Sequence, residues 1–311
     1  MRACAYGGEK VGAQVMSKQV FIHAGAHRTG TSSFQMCLDL NRDSLRAAGV
    51  DPAYPGRDGI PGGRLRLKLP GPGTGEQARD AMVARAAEVL QGHSPEPDRA
   101  LLLSEENIPG RMFHFYKGQF YPAAEARLKL LDKALKANGC EKVARLVLVL
   151  RRYDALFASA YRKRAEDNPV ASFREIAPRM EAMDRGWPAL IRAVKSILAP
   201  QEFIVLEYGQ RGASRDLLHR LLPEVSADWQ EPKRVMNLSA TDSALEALQA
   251  RYHAGEALDR NAWQEVVAAH RDNRDSTGFA SFTDEETRVL TERYDAHLNK
   301  IAKIRGITFL R

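Results

Sequence analysis

A short segment near the N-terminus combines two glycines, a cluster of hydroxyls and one arginine: residues 25–33 read GAHRTGTSS. The segment follows the apolar run QVFIHA and precedes a helical pattern that begins near Thr31 or Ser32. A loop that joins a strand to a helix N-terminus gathers free backbone N–H groups at the positive end of the helix dipole. Gly30 lets the backbone approach a ligand closely, and Arg28 supplies a positive charge. The segment therefore predicts an anion-binding site, to which the hydroxyls add donors.

The spacing of Gly25 and Gly30 is similar to the phosphate-binding pattern G-x-x-x-x-G-K-[ST], but Thr31 stands where that pattern has lysine. In nucleoside triphosphatases this lysine neutralises the β and γ phosphates beside a magnesium ion. Two alternatives stay open at this point. One is a P-loop kinase or NTPase that holds magnesium with Ser32. The other is an ordinary strand–turn–helix in which Ser32 and Gln35 form a capping box.

The segment GAHRTGTSSFQ resembles the 5′-phosphosulfate loop of sulfotransferases that use 3′-phosphoadenosine 5′-phosphosulfate (PAPS), particularly their bacterial, carbohydrate- or lipid-type branch. The resemblance implies that Arg28 takes the position of the phosphosulfate-contacting Lys or Arg of that family. The residues that would cradle the 5′ group with it are Thr29, Gly30, Thr31 and Ser32. The expected co-substrate is therefore PAPS, and no metal ion is expected.

A second segment, VLVLRRYDALFASAYRKR, resembles the 3′-phosphate signature of the same family, an arginine at a strand end and a serine on the next helix. The resemblance assigns the 3′-phosphate to Arg151 and Ser159. Arg152 stays a rival for this phosphate, because it lies seven residues before Ser159 and would share a helix face with it. Solvated arginines at a helix N-terminus are the alternative.

A third segment, LLLSEENIPG, resembles the S-[SE]-E-N stretch that follows a central strand in bacterial and carbohydrate-type members. The resemblance makes Glu106 the candidate catalytic base and Glu105 the second choice. A carboxylate at the C-terminal edge of a strand lies on the ligand side of an open α/β sheet, which suits this role. A solvated acidic loop or helix cap is the alternative.

Together these resemblances imply an enzyme, a sulfotransferase that moves a sulfuryl group from PAPS to a hydroxyl or amine of an acceptor. Arg28 and the loop N–H groups would stabilise the charge on the leaving bisphosphate, so Arg28 counts as catalytic beside Glu106. The expected acceptor is a small molecule, a glycan or a lipid head group. A non-catalytic nucleotide-binding relative remains an alternative. The segment GQRGASR (209–215) is shaped like a further nucleotide loop but follows a different strand, which leaves one wall of the site unassigned.

The composition is that of a globular protein: 311 residues, 44% hydrophobic and 27% charged. The net charge of +7 favours an anionic ligand. The charges are dispersed and no nucleic-acid motif is present, so no nucleic-acid partner is expected. Peripheral contact with a membrane remains an open alternative. Cys4, Cys37 and Cys140 have neither metal-ligand nor disulfide spacing, which favours a reducing compartment and a cytoplasmic location.

Four apolar runs predict buried strands at 19–24, 100–104, 143–150 and 202–208, and helical patterns occupy 32–48, 76–91, 122–138, 153–166 and 187–198. This alternation predicts an α/β fold, a single P-loop-like domain with a central, mostly parallel sheet flanked by helices. The domain spans 16–311, its part from about 237 is helical, and residues 1–15 are expected to be a disordered leader.

Two loops are the expected acceptor-binding elements. Residues 51–75 are rich in proline and glycine and contain the basic sequence RLRLK, and residues 110–121 carry aromatic and basic side chains around His114. Two histidines beside the anion loop are expected to have structural roles. His23 would be buried and hydrogen-bonded in its strand, and His27 would shape the loop.

Overall fold

The computed structural model describes residues 18–233 and 240–311, so the predicted leader lies outside the described residues. In these residues one parallel sheet of six strands has the order β2-β3-β1-β4-β5-β6. The strands are β1 (Gln19–His23), β2 (Val50–Ala53), β3 (Ala100–Ser104), β4 (Lys142–Leu150), β5 (Glu202–Glu207) and β6 (Thr308–Leu310). The predicted α/β fold with a central parallel sheet flanked by helices is confirmed.

The four predicted strands are confirmed, whereas the two strands at the edges of the sheet, β2 and β6, were not predicted. The prediction of a loop from Asp51 is wrong at its start, because Val50–Ala53 pairs with β3. Asp51 and Pro52 both disfavour strands, but an edge strand tolerates proline because one side of its backbone needs no partner. The strand β6 is only three residues long, which is too short to show a period in sequence.

The helices of the described residues are α1 (Thr31–Leu40), α2 (Arg42–Ala47), α3 (Glu76–His93), α4 (Ala124–Ala137), α5 (Tyr153–Ala165), α6 (Phe173–Glu181), α7 (Trp187–Ile197), α8 (Ser214–Leu221), α9 (Asp242–His253), α10 (Arg260–Ala269) and α11 (Asp284–Ala302). Short 3₁₀ helices occupy Arg57–Gly59, Met112–Lys117 and Tyr208–Gln210. The C-terminal region is helical as predicted until the chain reaches β6. A capping box begins α11, since Thr283 and Glu286 bond reciprocally.

The single helix predicted for residues 32–48 is two helices that meet at Asn41. The Asn41 amide donates to the carbonyl of Cys37 (2.8 Å) and to that of Gln230 (2.9 Å). Its oxygen accepts from the backbone N–H of Gln230 (2.8 Å). These bonds tie the end of α1 to a segment 189 residues away, which no local pattern predicts.

Helices cover both faces of the sheet, which explains why its strands are apolar on both sides. On β1, Val20 and Ile22 belong to one core, which contains residues of α3, α4, α5, α7 and α11. Phe21 points to the other core, against α1, α2 and α8. No helix of the described residues is long and apolar enough to cross a membrane.

The strand order places three loops around one point. The chain passes from β1 to β2 and β3 on one side, and then crosses to β4 on the other side of β1. Ligands of open α/β sheets bind outside the carboxyl ends of the strands at such a reversal. The loops that follow β1, β3 and β4 meet there, and these are the loops that carry the predicted site residues.

Candidate functional site

The loop after β1 is held in a fixed curve by its own threonines. The hydroxyl of Thr29 donates to the carbonyl of Ala26 (2.7 Å), and that of Thr31 donates to the same oxygen (3.1 Å). Both threonines are buried. Gly30 has φ 83°, in the region that favours glycine. The Thr31 hydroxyl, which was expected from sequence to donate to a ligand, instead shapes the loop together with that of Thr29.

The start of α1 has no side-chain cap. Gly30 is the N-cap residue, and it provides no side-chain cap. The alternative in which Ser32 and Gln35 form a capping box is therefore wrong: the Gln35 amide instead donates to the carbonyl of Ser104 (3.2 Å). Since the first N–H groups of a helix have no intrahelical acceptor, this end of α1 is suited to an anion.

Two arginines join the first and second sequence segments. The Arg28 Nε donates to the Ser159 hydroxyl (2.9 Å), and the Arg151 Nη1 donates to the carbonyl of Arg28 (2.6 Å). The Arg151 guanidinium also lies over the ring of Tyr208, 5.3 Å from its centroid. Burial lowers the pKa of Arg151, as does the charge of Arg28. The predicted 5′ and 3′ positions therefore adjoin each other at the carboxyl ends of β1 and β4.

Arg211 approaches the same loop from the other side. Its Nη2 donates to the carbonyl of Gly30 (3.1 Å) and to the hydroxyl of Ser214 (3.0 Å), and its burial lowers its pKa. The segment GQRGASR was not assigned to the site from sequence, because it follows β5. Since α8 packs against α1, the residues before α8 nevertheless reach the loop after β1. Arg211 supplies part of the wall that the sequence left unassigned.

Positive charge is concentrated around this loop without acidic partners. Among the described residues, no carboxylate oxygen lies within 4 Å of a guanidinium nitrogen of Arg28, Arg151 or Arg211. Arg152, the rival of Arg151 for the 3′-phosphate, instead pairs with Asp154 (3.0 Å) and donates to Thr291 (3.1 Å) toward α11. Arg152 therefore does not belong to the cluster.

The two acidic residues after β3 differ in their surroundings. The Glu105 side chain is 2% exposed, and it accepts from both the backbone and side-chain N–H groups of Asn107 (2.8 and 2.9 Å). The Glu106 side chain is 23% exposed. Arg57 holds both carboxylates, with its nitrogens 2.9 Å from Glu105 and 3.2 Å from Glu106. Glu105 is thus a structural carboxylate, and Glu106 is the one of the two that is partly exposed to solvent.

Glu106 lies directly against the anion loop. A Cβ at Gly25 would be 3.1 Å from both Cα and Cβ of Glu106, which is closer than most Cβ contacts. Glycine at position 25 therefore permits the close approach of the two loops. Sequence reasoning missed Arg57 because it lies in an irregular loop, 48 residues before the carboxylate that it contacts most closely.

Both histidines beside the loop, His23 and His27, are buried and lie within hydrogen-bonding distance of neighbouring side chains. Burial lowers the pKa of His23 to about 3, and its Nδ1 lies 3.0 Å from the Ser104 hydroxyl. Burial also lowers the pKa of His27 to about 4. The His27 ring nitrogens lie 3.0 Å from the Tyr121 hydroxyl and 3.1 Å from the Asn107 side-chain oxygen. Both imidazoles are neutral at pH 7, and His27 fastens the loop after β1 to the loop after β3.

Three aromatic residues of the second expected acceptor loop pack into the interior. Phe115, Phe120 and Tyr121 are each at most 1% exposed and contact one another. Phe115 also packs against Phe157 of α5. These three rings therefore stabilise the fold beside the site. Phe113, His114 and Tyr116 of the same loop are partly exposed, so both expected loops stay acceptor-facing candidates.

Among the described residues, no group of three or more His, Cys, Asp or Glu side chains is placed to hold a metal ion. Comparison with models of known protein families gave no match, and comparison with curated proteins gave none either.

Proposed function

We propose that this protein transfers a sulfuryl group from PAPS to a hydroxyl or amine of an acceptor. The observation that carries the proposal is the convergence of Arg28, Arg151 and Ser159 beside an uncapped helix N-terminus. A nucleotide with an anionic group at each end of its ribose matches two adjoining cationic positions. The 5′ group would contact Arg28 and the loop N–H groups, and the 3′-phosphate would contact Arg151 and Ser159.

In the proposed reaction, the acceptor oxygen or nitrogen forms a bond to sulfur while the bond from sulfur to the 5′-phosphate oxygen breaks. Glu106 accepts the proton of the acceptor, and the products are the sulfated acceptor and adenosine 3′,5′-bisphosphate. Negative charge builds on the departing phosphate oxygen, where Arg28 and the loop N–H groups stabilise it. Each such preorganised donor lowers the activation barrier by about 3 kcal/mol in comparable sites.

Arg57 has a positioning role in this mechanism, because it forms an ion pair with Glu106. The proposed acceptor is a glycan or a glycolipid hydroxyl, and the proposed location is the cytoplasm. The mechanism requires no metal step, since the groups that position and neutralise the donor are arginines and backbone N–H groups.

Calorimetric titration tests the donor class first. Without metal, adenosine 3′,5′-bisphosphate should bind, whereas ADP should bind at least tenfold more weakly because it lacks the 3′-phosphate. Magnesium-dependent binding and turnover of ATP, with no binding of the bisphosphate, would instead make this protein a kinase or an NTPase.

Transfer of ³⁵S-labelled sulfuryl groups to a panel of glycans and glycolipids tests the chemistry. Glu106→Gln should bind the bisphosphate as the wild type does and lose at least a hundredfold in turnover. Glu88→Gln is the matched control, because Glu88 is an exposed residue of α3 that pairs with Arg85. Normal turnover by Glu106→Gln would remove Glu106 from the mechanism. Nucleotide binding without transfer to any acceptor would favour a non-catalytic relative.

A further inference from the structure

The basic sequence RLRLK forms an amphipathic extended segment on the surface. Leu65 and Leu69 are buried, whereas Arg64, Arg66 and Lys68 between and beside them are exposed. Alternate residues of an extended chain point to the same side and stand about 7 Å apart. We name these three exposed side chains the basic stripe.

The basic stripe carries charge that the protein does not neutralise itself. Among the described residues, no carboxylate oxygen lies within 4 Å of Arg64, Arg66 or Lys68. Arg99 nearby, by contrast, forms a bidentate pair with Asp51. Three cations at alternate positions, with no carboxylate partner among the described residues, form a surface complementary to an anionic chain.

The segment that carries the stripe is joined at its end to the loop after β3, and at its start to the segment that carries Arg57. At its end, the buried Arg127 donates to the carbonyls of Leu69 (3.0 Å) and Pro70 (2.7 Å), and also to those of Asn107 and Ile108. At its start, Arg64 forms an antiparallel bridge with Pro55, two residues before the arginine that holds Glu106. These contacts fix the stripe beside the proposed catalytic base.

We propose that the basic stripe binds the acceptor itself, and that this acceptor is an acidic polysaccharide. The inference rests on the proposed function and deepens it. A polymer of charged sugars presents regularly spaced carboxylate or sulfate groups to the stripe and offers hydroxyls to Glu106. The segment from 64 to 69 has no aromatic side chain on which nucleic-acid bases could stack. The large exposed hydrophobic residues of the described chain, Leu40 and Tyr208, lie outside the stripe, so it has no apolar wedge for a lipid surface.

The test is direct binding of fluorescently labelled oligogalacturonate, compared with neutral dextran, single-stranded DNA and phosphatidylserine vesicles. The triple variant Arg64→Gln, Arg66→Gln, Lys68→Gln should bind oligogalacturonate at least tenfold more weakly at 50 mM salt, and the difference should shrink at 500 mM salt. The control is Lys129→Gln, Lys133→Gln, Lys303→Gln, which removes the same charge from exposed positions elsewhere and should reduce binding less than threefold. Equal losses in the two triple variants would overturn the inference, because they would reflect net charge alone.

Bisphosphate calorimetry on the same triple variant separates this inference from the proposed function. Unchanged bisphosphate affinity with lost oligogalacturonate binding supports both. If the triple variant binds the bisphosphate and still binds oligogalacturonate as the wild type does, the basic stripe is not the acceptor site, and the proposed function stands. Wild-type protein that fails to bind the bisphosphate overturns the proposed function whatever the stripe binds. A preference of the stripe for DNA or vesicles over oligogalacturonate would overturn the polysaccharide as its ligand.

Discussion

Replacement of Arg151 by alanine should weaken binding of adenosine 3′,5′-bisphosphate while leaving binding of AMP nearly intact. Arg151 is half-buried, and it has no carboxylate within 4 Å among the described residues. In the free protein it donates to the carbonyl of Arg28 (2.6 Å) and lies over Tyr208. In the proposed complex its charge faces the 3′-phosphate, which AMP lacks. The two nucleotides thus separate the phosphate contact from the effect on the loop.

The magnitude follows from the kind of contact that is lost. A hydrogen bond to a charged group contributes about 1.5–3 kcal/mol. Since about 1.4 kcal/mol is a factor of ten, bisphosphate affinity should fall by roughly 10- to 150-fold. The neighbouring Arg152→Ala is the matched control. Arg152 pairs on the surface with Asp154 and should change affinity by about twofold at most, which corresponds to about 0.5 kcal/mol.

Isothermal calorimetry without metal measures both nucleotides on the wild type and the two variants, and thermal unfolding checks that each variant is folded. Equal losses of AMP and bisphosphate affinity in Arg151→Ala would contradict the assignment of Arg151 to the 3′-phosphate. Arg151 would then act only by holding the Arg28 carbonyl and the shape of the loop. A larger effect of Arg152→Ala on bisphosphate binding would reverse the assignment of the 3′-phosphate.

Two further predictions concern the loop itself. Gly30→Ala places a residue with φ 83° next to the Arg211 guanidinium, whereas Gly49→Ala has φ 77° and nothing within 4 Å. Both should lose about 1–2 kcal/mol of stability in urea unfolding, but only Gly30→Ala should also weaken bisphosphate binding; equal binding would argue against a ligand at this loop. His27 has its pKa lowered to about 4 from 6.5, so its stabilising contribution is complete above pH 6.5 and is lost as the pH falls toward 4. For this group, the free energy of unfolding should fall by about 1.4 kcal/mol for each pH unit of acidification between these values. In His27→Asn, the slope of the free energy of unfolding against pH should therefore be smaller between pH 6 and 4.5. An unchanged slope would contradict a buried, neutral His27.

Local sequence was sufficient for the central sheet and for the anion loop. The strands β1, β3, β4 and β5 are apolar runs because helices cover both of their faces. A strand buried on both faces can therefore be recognised from its residue types alone. The loop from Gly25 to Gly30 could be predicted because a glycine turn between a strand and a helix determines its own backbone. Edge strands escaped prediction, since β2 contains Asp51 and Pro52 and pairs on one side only.

Tertiary structure decided which distant residues complete the site. Arg211 reaches Gly30 across 181 residues because α8 packs on α1, and Arg57 reaches Glu106 because an irregular loop folds over the end of β3. Tertiary contacts also removed Arg152 from the site, although its spacing from Ser159 suits a helix face as well as that of Arg151 does. Sequence periodicity reports how a residue faces the core, within one element. The pairing of loops depends on strand order and on helix packing, and these are properties of the whole chain that no single segment encodes.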